Sequence, residues 1–136
     1  MKHLKYFLIF LIAVDTVNSQ EERTIEIIQA GKSIRNSIEY PGANILKRDN
    51  DLRVILFHDG AKIESDLSYY YFNENSFNAS GKVNFNQGDS LVLTSDYLEY
   101  DGTSKQAFAY GNVKLTRPDM KLETDTLYLD RIKNIA

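Results

Sequence analysis

Residues able to do chemistry are few in this chain, which holds two histidines, no cysteine and 19 carboxylate side chains. His58 precedes Asp59 and Gly60, the beginning of a base with an orienting carboxylate. Acid–base catalysis also needs a nucleophile or metal held in a pocket, whereas Asp-Gly is a turn signal whose glycine takes the left-handed conformation. The turn is the simpler reading. Asp49-Asn50-Asp51 offers oxygen ligands but lacks the glycine and distal glutamate of a calcium loop, so it too reads as a solvated turn. Asp66, Asp96 and Asp125 recur at nearly equal steps. One acidic ligand per step is too sparse for stacked cation sites, and each aspartate is expected to bond its own backbone at a bend. No catalytic residue, metal or cofactor is assigned, and the protein is read as a non-enzyme.

The elements that must position these residues follow a leader. Lys2 and Lys5, an apolar run from Tyr6 to Val14 and the small-residue site Val17-Asn18-Ser19 make residues 1–19 a secretory signal. The run is shorter than the roughly 20 apolar residues of a membrane-spanning helix. Its removal takes away two lysines and one aspartate, leaving the exported chain one unit more negative than the whole-chain −3. That balance gives no reason to expect nucleic acid. The remaining residues, about 117, suit one domain with a modest core. Export ordinarily permits disulfides, but without cysteine no disulfide framework or thiolate metal site is available.

Turn signals recur at Asn73-Glu74-Asn75-Ser76, Asn86-Gln87-Gly88-Asp89, Asp101-Gly102-Thr103-Ser104 and Arg117-Pro118-Asp119. Between them, Val83-Asn84-Phe85, Leu91-Val92-Leu93-Thr94, Leu98-Glu99-Tyr100 and Val113-Lys114-Leu115 alternate with the period of two of half-buried strands. A repeat underlies the turns. Ile63-Glu64-Ser65-Asp66, Leu93-Thr94-Ser95-Asp96 and Leu122-Glu123-Thr124-Asp125 share apolar-x-hydroxyl-Asp at separations of 30 and 29. Ala79-Ser80-Gly81-Lys82-Val83 returns as Ala109-Tyr110-Gly111-Asn112-Val113. Each unit is thus two strands, with the hydroxyl-Asp pair marking a bend in one and the glycine a bend or bulge in the other. The expected fold is all-β, an antiparallel jellyroll built from repeats. Residues 20–49 form an amino-terminal linker and first strands, and residues 50–136 the repeats. The chain stops at Ala136 where another strand would start, so it is either a fragment or leaves an edge open for pairing.

Alternation projected from the shared positions puts Ala79, Val83, Phe85, Leu93, Leu98, Tyr100, Ala109, Val113, Leu115, Leu122, Leu127 and Leu129 on one face. This strip is either the core of an ordinary sandwich or an apolar groove for a lipid. Each acyl methylene withdrawn from water is worth about 0.8 kcal/mol, so a long acyl chain needs shielding to cross an aqueous compartment. In Tyr69-Tyr70-Tyr71-Phe72, Tyr70 faces inward, leaving Tyr69 and Tyr71 as edge packing or a sugar platform.

Phe77-Asn78-Ala79-Ser80-Gly81-Lys82-Val83-Asn84-Phe85-Asn86-Gln87-Gly88-Asp89, then Ser95-Asp96-Tyr97-Leu98-Glu99-Tyr100-Asp101-Gly102 and Ala109-Tyr110-Gly111-Asn112-Val113, resemble the OstA-like family. That family comprises lipopolysaccharide-transport proteins of the LptA and LptD amino-terminal-domain type, and the likeness is to its Bacteroidetes form over roughly residues 50 to 136. The resemblance implies a periplasmic, outer-membrane-assembly protein with a twisted β-jellyroll whose apolar interior, lined by the strip above, holds lipopolysaccharide acyl chains. It implies edges that pair head-to-tail with other transport proteins or further copies of the chain. In that bacterial setting the glycosylation-like Asn78-Ala79-Ser80 is accidental. The departures lie before residue 50, where Ile28-Gln29-Ala30-Gly31 replaces a more typical opening strand and the first repeat glycine is missing. Two other classes remain open. A structural β-solenoid or surface module would have a tightly filled interior, and a carbohydrate-binding sandwich would carry exposed aromatics, although the chain has no tryptophan.

Overall fold

The computed structural model describes residues 23–133; the expected leader lies outside them. Among the described residues no helix is long and apolar enough to cross a membrane. Ten strands form a single antiparallel sheet: β1 (Glu26–Gln29), β2 (Lys32–Ile34), β3 (Ala43–Lys47), β4 (Val54–His58), β5 (Ala61–Ser65), β6 (Leu67–Tyr71), β7 (Ser76–Gln87), β8 (Leu91–Asp101), β9 (Gln106–Arg117) and β10 (Met120–Asp130).

The short early strands are halves of long ones. β6 pairs with the first half of β7 and β5 with its second half, so β5 and β6 together form one strand interrupted at Asp66. β3 and β4 pair with β6 and β5 in the same way, and β2 and β1 pair with β3 and β4. Every long strand therefore breaks near its middle, and the register shifts of β7, β8, β9 and β10 fall on the same line, at Ser80/Val83, Thr94/Tyr97 and Thr124/Thr126. The sheet folds over along that line into two layers.

The repeated residues make this line. Gly81 and Lys82 take φ of 82° and 48°, and Gly111 and Asn112 take 81° and 49°, two successive left-handed residues that kink the strand outward. Asp66 packs over Gly81 and Asp96 over Gly111, so closely that a Cβ on either glycine would sit 2.7 Å and 2.9 Å from the aspartate's own Cβ. The aspartates do not bond their own backbone as expected. Asp66 accepts from Arg48 Nη1 and Arg53 Nε, and Asp96 from Asn112 Nδ2. The neighbouring hydroxyls bond locally instead: Ser95 Oγ donates to the carbonyl of Tyr97, and Thr124 Oγ1 to that of Thr126. Where the first repeat glycine is missing, residues 48–53 loop out around a bridge between Asp49 and Leu52, with Asn50 left-handed.

Residues directly opposite across a ladder share a face. One inner row runs Ile27, Leu56, Ile63, Phe85, Leu93, Leu115, Leu122 across the first layer. In the second layer, Ser68, Ala79, Leu98, Ala109 and Leu127 form a row beside Tyr70, Phe77, Tyr100, Ala107 and Leu129. The two layers meet over these rows. Phe85 pairs with Leu93 and Tyr100 with Phe77 within the sheet, yet the rings of Phe85 and Tyr100 lie 5.9 Å apart, which requires the fold-over.

Candidate functional site

The interior between the layers is the candidate site. Of the strip read from alternation, Ala79, Val83, Phe85, Leu93, Leu98, Tyr100, Ala109, Val113, Leu115 and Leu129 are all buried in one continuous core. Leu127 is partly buried against that core. Leu122 shares the face of Leu115 but is 37% exposed, because among the described residues β10 pairs only with β9. At the other end of the same row Ile27, on edge strand β1, is 44% exposed. The apolar strip is thus closed in its middle and open at both edges of the sheet.

Small side chains narrow the middle: Ala61, Ala79, Ala107 and Ala109 are buried among the larger residues. Ser68 adds a polar group to this surface, fully buried, with no hydrogen-bond partner for its hydroxyl among the described residues. Alternation locates the strip but not this hydroxyl, since serine in a strand is ordinarily taken as facing solvent.

The free ends of the two layers meet at a mouth that reasoning from the sequence missed. His58-Asp59-Gly60-Ala61 is a two-residue hairpin with both central residues left-handed, φ 46° and 85°, as the turn reading expects. Its histidine is nonetheless buried. Nε2 lies 3.0 Å from the carbonyl of Arg23 and Nδ1 2.7 Å from the hydroxyl of Tyr100. A carbonyl only accepts, so Nε2 carries the proton and Nδ1 accepts from Tyr100. Burial holds His58 below its ordinary pKa and raises that of Tyr100. This imidazole joins the two layers through the Tyr100 hydroxyl and the Arg23 carbonyl.

Arg131, just past β10, closes the mouth. Its Nη1 donates to the Tyr100 hydroxyl at 2.9 Å and the His58 carbonyl at 3.1 Å, Nη2 to the Asp59 carbonyl at 2.6 Å, and Nε to Gln87 Oε1 at 3.0 Å. The guanidinium also lies 5.4 Å from the centre of the Phe85 ring. Lys105 forms an ion pair with Asp59, and Arg23 Nε lies 3.6 Å from the same carboxylate. The hydrogen bond from Lys105, with the nearby charges of Arg23 and Arg131, holds the Asp59 carboxyl below the usual carboxylate range. The segment before β1 is sewn across the mouth as well: Asn75 accepts from the Ile25 amide and donates to the Arg23 carbonyl, and Tyr70 donates to the Ile25 carbonyl. Asn75 stood in a predicted turn; only the fold brings residues 23–25 to it.

A curled, antiparallel sheet closed over an apolar strip and open at both edges defines an all-β jellyroll. The chain belongs to the OstA-like protein family, whose model matches residues 22–136 and so reaches back through β1–β3. Among solved structures its fold is similar to LptH of Pseudomonas aeruginosa, described as the LptA-homologous periplasmic component of the lipopolysaccharide transport device. That match has 14% identity, covers 84% of this chain and 80% of that one, and has a TM-score of 0.69. No curated protein matches the chain.

Proposed function

We propose that the protein is a periplasmic lipopolysaccharide carrier that shields acyl chains between its two layers during outer-membrane assembly. The observation that carries this reading is the apolar inner row running without interruption from Ile27 to Leu122, exposed at both edges of the sheet. Family membership and the likeness to a periplasmic transport component support it. Burying twelve methylenes is worth about 10 kcal/mol, a gain that offsets part of the cost of parting the layers. No bond is made or broken in this role. Edge strands β1 and β10 would pair with other transport proteins or further copies of the chain, extending the strip from one molecule to the next.

A filled middle also fits a structural module whose interior never opens. Capture of lipopolysaccharide by the exported chain, read by co-elution, separates the two. The carrier reading expects saturable capture that Leu122→Asp weakens about tenfold or more with the protein still folded, because Leu122 is already partly exposed. A folded protein that captures no lipopolysaccharide overturns the proposal.

A further inference from the structure

A cleft of about 1160 Å³ opens at the mouth between Arg23, Asp59, Lys105 and Arg131. Glu26 also lines it, giving three cations to two carboxylates on a chain whose overall charge is −3. The excess has a specific origin. Lys105 and Arg23 share the single carboxylate of Asp59, while Arg131 spends its donors on neutral oxygens and forms no ion pair among the described residues. Side chains of Lys105 and Asp59 are about two-thirds covered, so their charges are screened less than those of an exposed pair.

The cleft adjoins the apolar interior through the same residues. Arg131 touches the cleft and also lies over Phe85, and the Tyr100 hydroxyl that it binds belongs to a ring packed on Phe77 and Phe85. An amphiphile with its tails between the layers would therefore present its polar head to these cations. We infer that Arg23, Lys105 and Arg131 form a binding site for a phosphate-bearing lipid headgroup, with the Asp59 carboxylate occupying the site when no lipid is held. The phosphate displaces Asp59 from Lys105 and Arg23, and in doing so releases the ion pair that ties the β4–β5 turn to the β8–β9 turn. Headgroup binding and mouth opening are thus one event. The inference rests on the lipid-carrier reading.

The test uses the exported chain and two probes, an acylated diglucosamine lipid carrying phosphates and the same lipid after enzymatic dephosphorylation. The phosphorylated form is expected to bind about tenfold more tightly, and the advantage to disappear in Arg23→Gln/Lys105→Gln. Asp59→Asn keeps the left-handed turn, for which asparagine is as well suited, and removes the resident anion. By freeing the mouth it should ease entry of both lipids, but by freeing the cations it should tighten binding of the phosphorylated lipid by the larger factor, a difference that mere loosening of the fold would not produce. Equal affinity for the two lipids overturns the headgroup site and leaves the carrier reading standing, whereas binding of neither overturns both. Inorganic phosphate alone is the third probe. If it binds as tightly as the phosphorylated lipid, the site takes a free anion and the lipid assignment fails.

Discussion

Gly111→Ala measures the bend on which the two-layer fold depends. Gly111 has φ +81°, and a Cβ there would lie 2.8 Å from Asp96 Oδ2 and 2.9 Å from Asp96 Cβ. Two costs follow. A side chain in the left-handed region costs about 1–2 kcal/mol. Overlap with Asp96 adds about 1–3 kcal/mol, because the aspartate Cβ is fixed to a strand paired on both sides and cannot swing away. Gly88 separates the two costs: it has φ +58° in the β7–β8 turn with nothing within 4 Å of a Cβ, so Gly88→Ala should incur only the first. Urea unfolding should then place Gly111→Ala about 2–5 kcal/mol below the wild type, with an unchanged denaturant slope, and Gly88→Ala about 1–2 kcal/mol below. In Gly111→Ala/Asp96→Gly the overlap is gone, and the double variant should be more stable than the sum of the single effects predicts. Equal losses at Gly88 and Gly111, or strict additivity with Asp96→Gly, would refute the packing of aspartate on glycine as the device that sets the bend.

Acid should destabilise the fold through His58. Its folded pKa lies below the unfolded 6.5, so the unfolded chain takes up the proton first; the contribution is complete above pH 6.5 and is lost as pH falls below it. The Asp59 pKa is depressed below 3.8, so its ion pair persists through that window, and urea midpoints measured between pH 7.5 and 5 should fall in the wild type and stay level in His58→Gln. Ser68→Ala should stabilise by about 1 kcal/mol, since it removes a buried hydroxyl that has no partner; a loss of stability would mean that the hydroxyl is satisfied.

Much of the fold was legible because its signals are local. Period-two alternation placed Phe85, Leu93, Leu115 and their neighbours on one face, and the recurring Ser-Asp and Gly-x pairs marked the line of bends. Asp66 and Asp96 were assigned to the right places with the wrong partners: their contacts lie on the adjacent strand, which a repeat in one dimension does not display. The mouth was not legible at all. His58 reads as a turn residue, and nothing local singles out Lys105 or Arg131, until the fold-over brings residues 23, 58, 100 and 131 together. The exposure of Leu122 likewise depends on β10 being an edge, a property of the sheet and not of the residue.

Photo-crosslinking with lipopolysaccharide tests the central claim most directly. A photoreactive side chain at Leu122 or Leu127, which face inward on β10 where the strip is open, should crosslink to lipid; one at Glu123 or Tyr128, which alternate to the outer face, should not. Placing the probes on β10 avoids overfilling the closed middle around Leu115, which is fully buried. Crosslinks at both inward positions and neither outward one are the predicted result. Crosslinks on the outer face alone, or none at any position in a folded protein, would contradict lipid carriage between the layers.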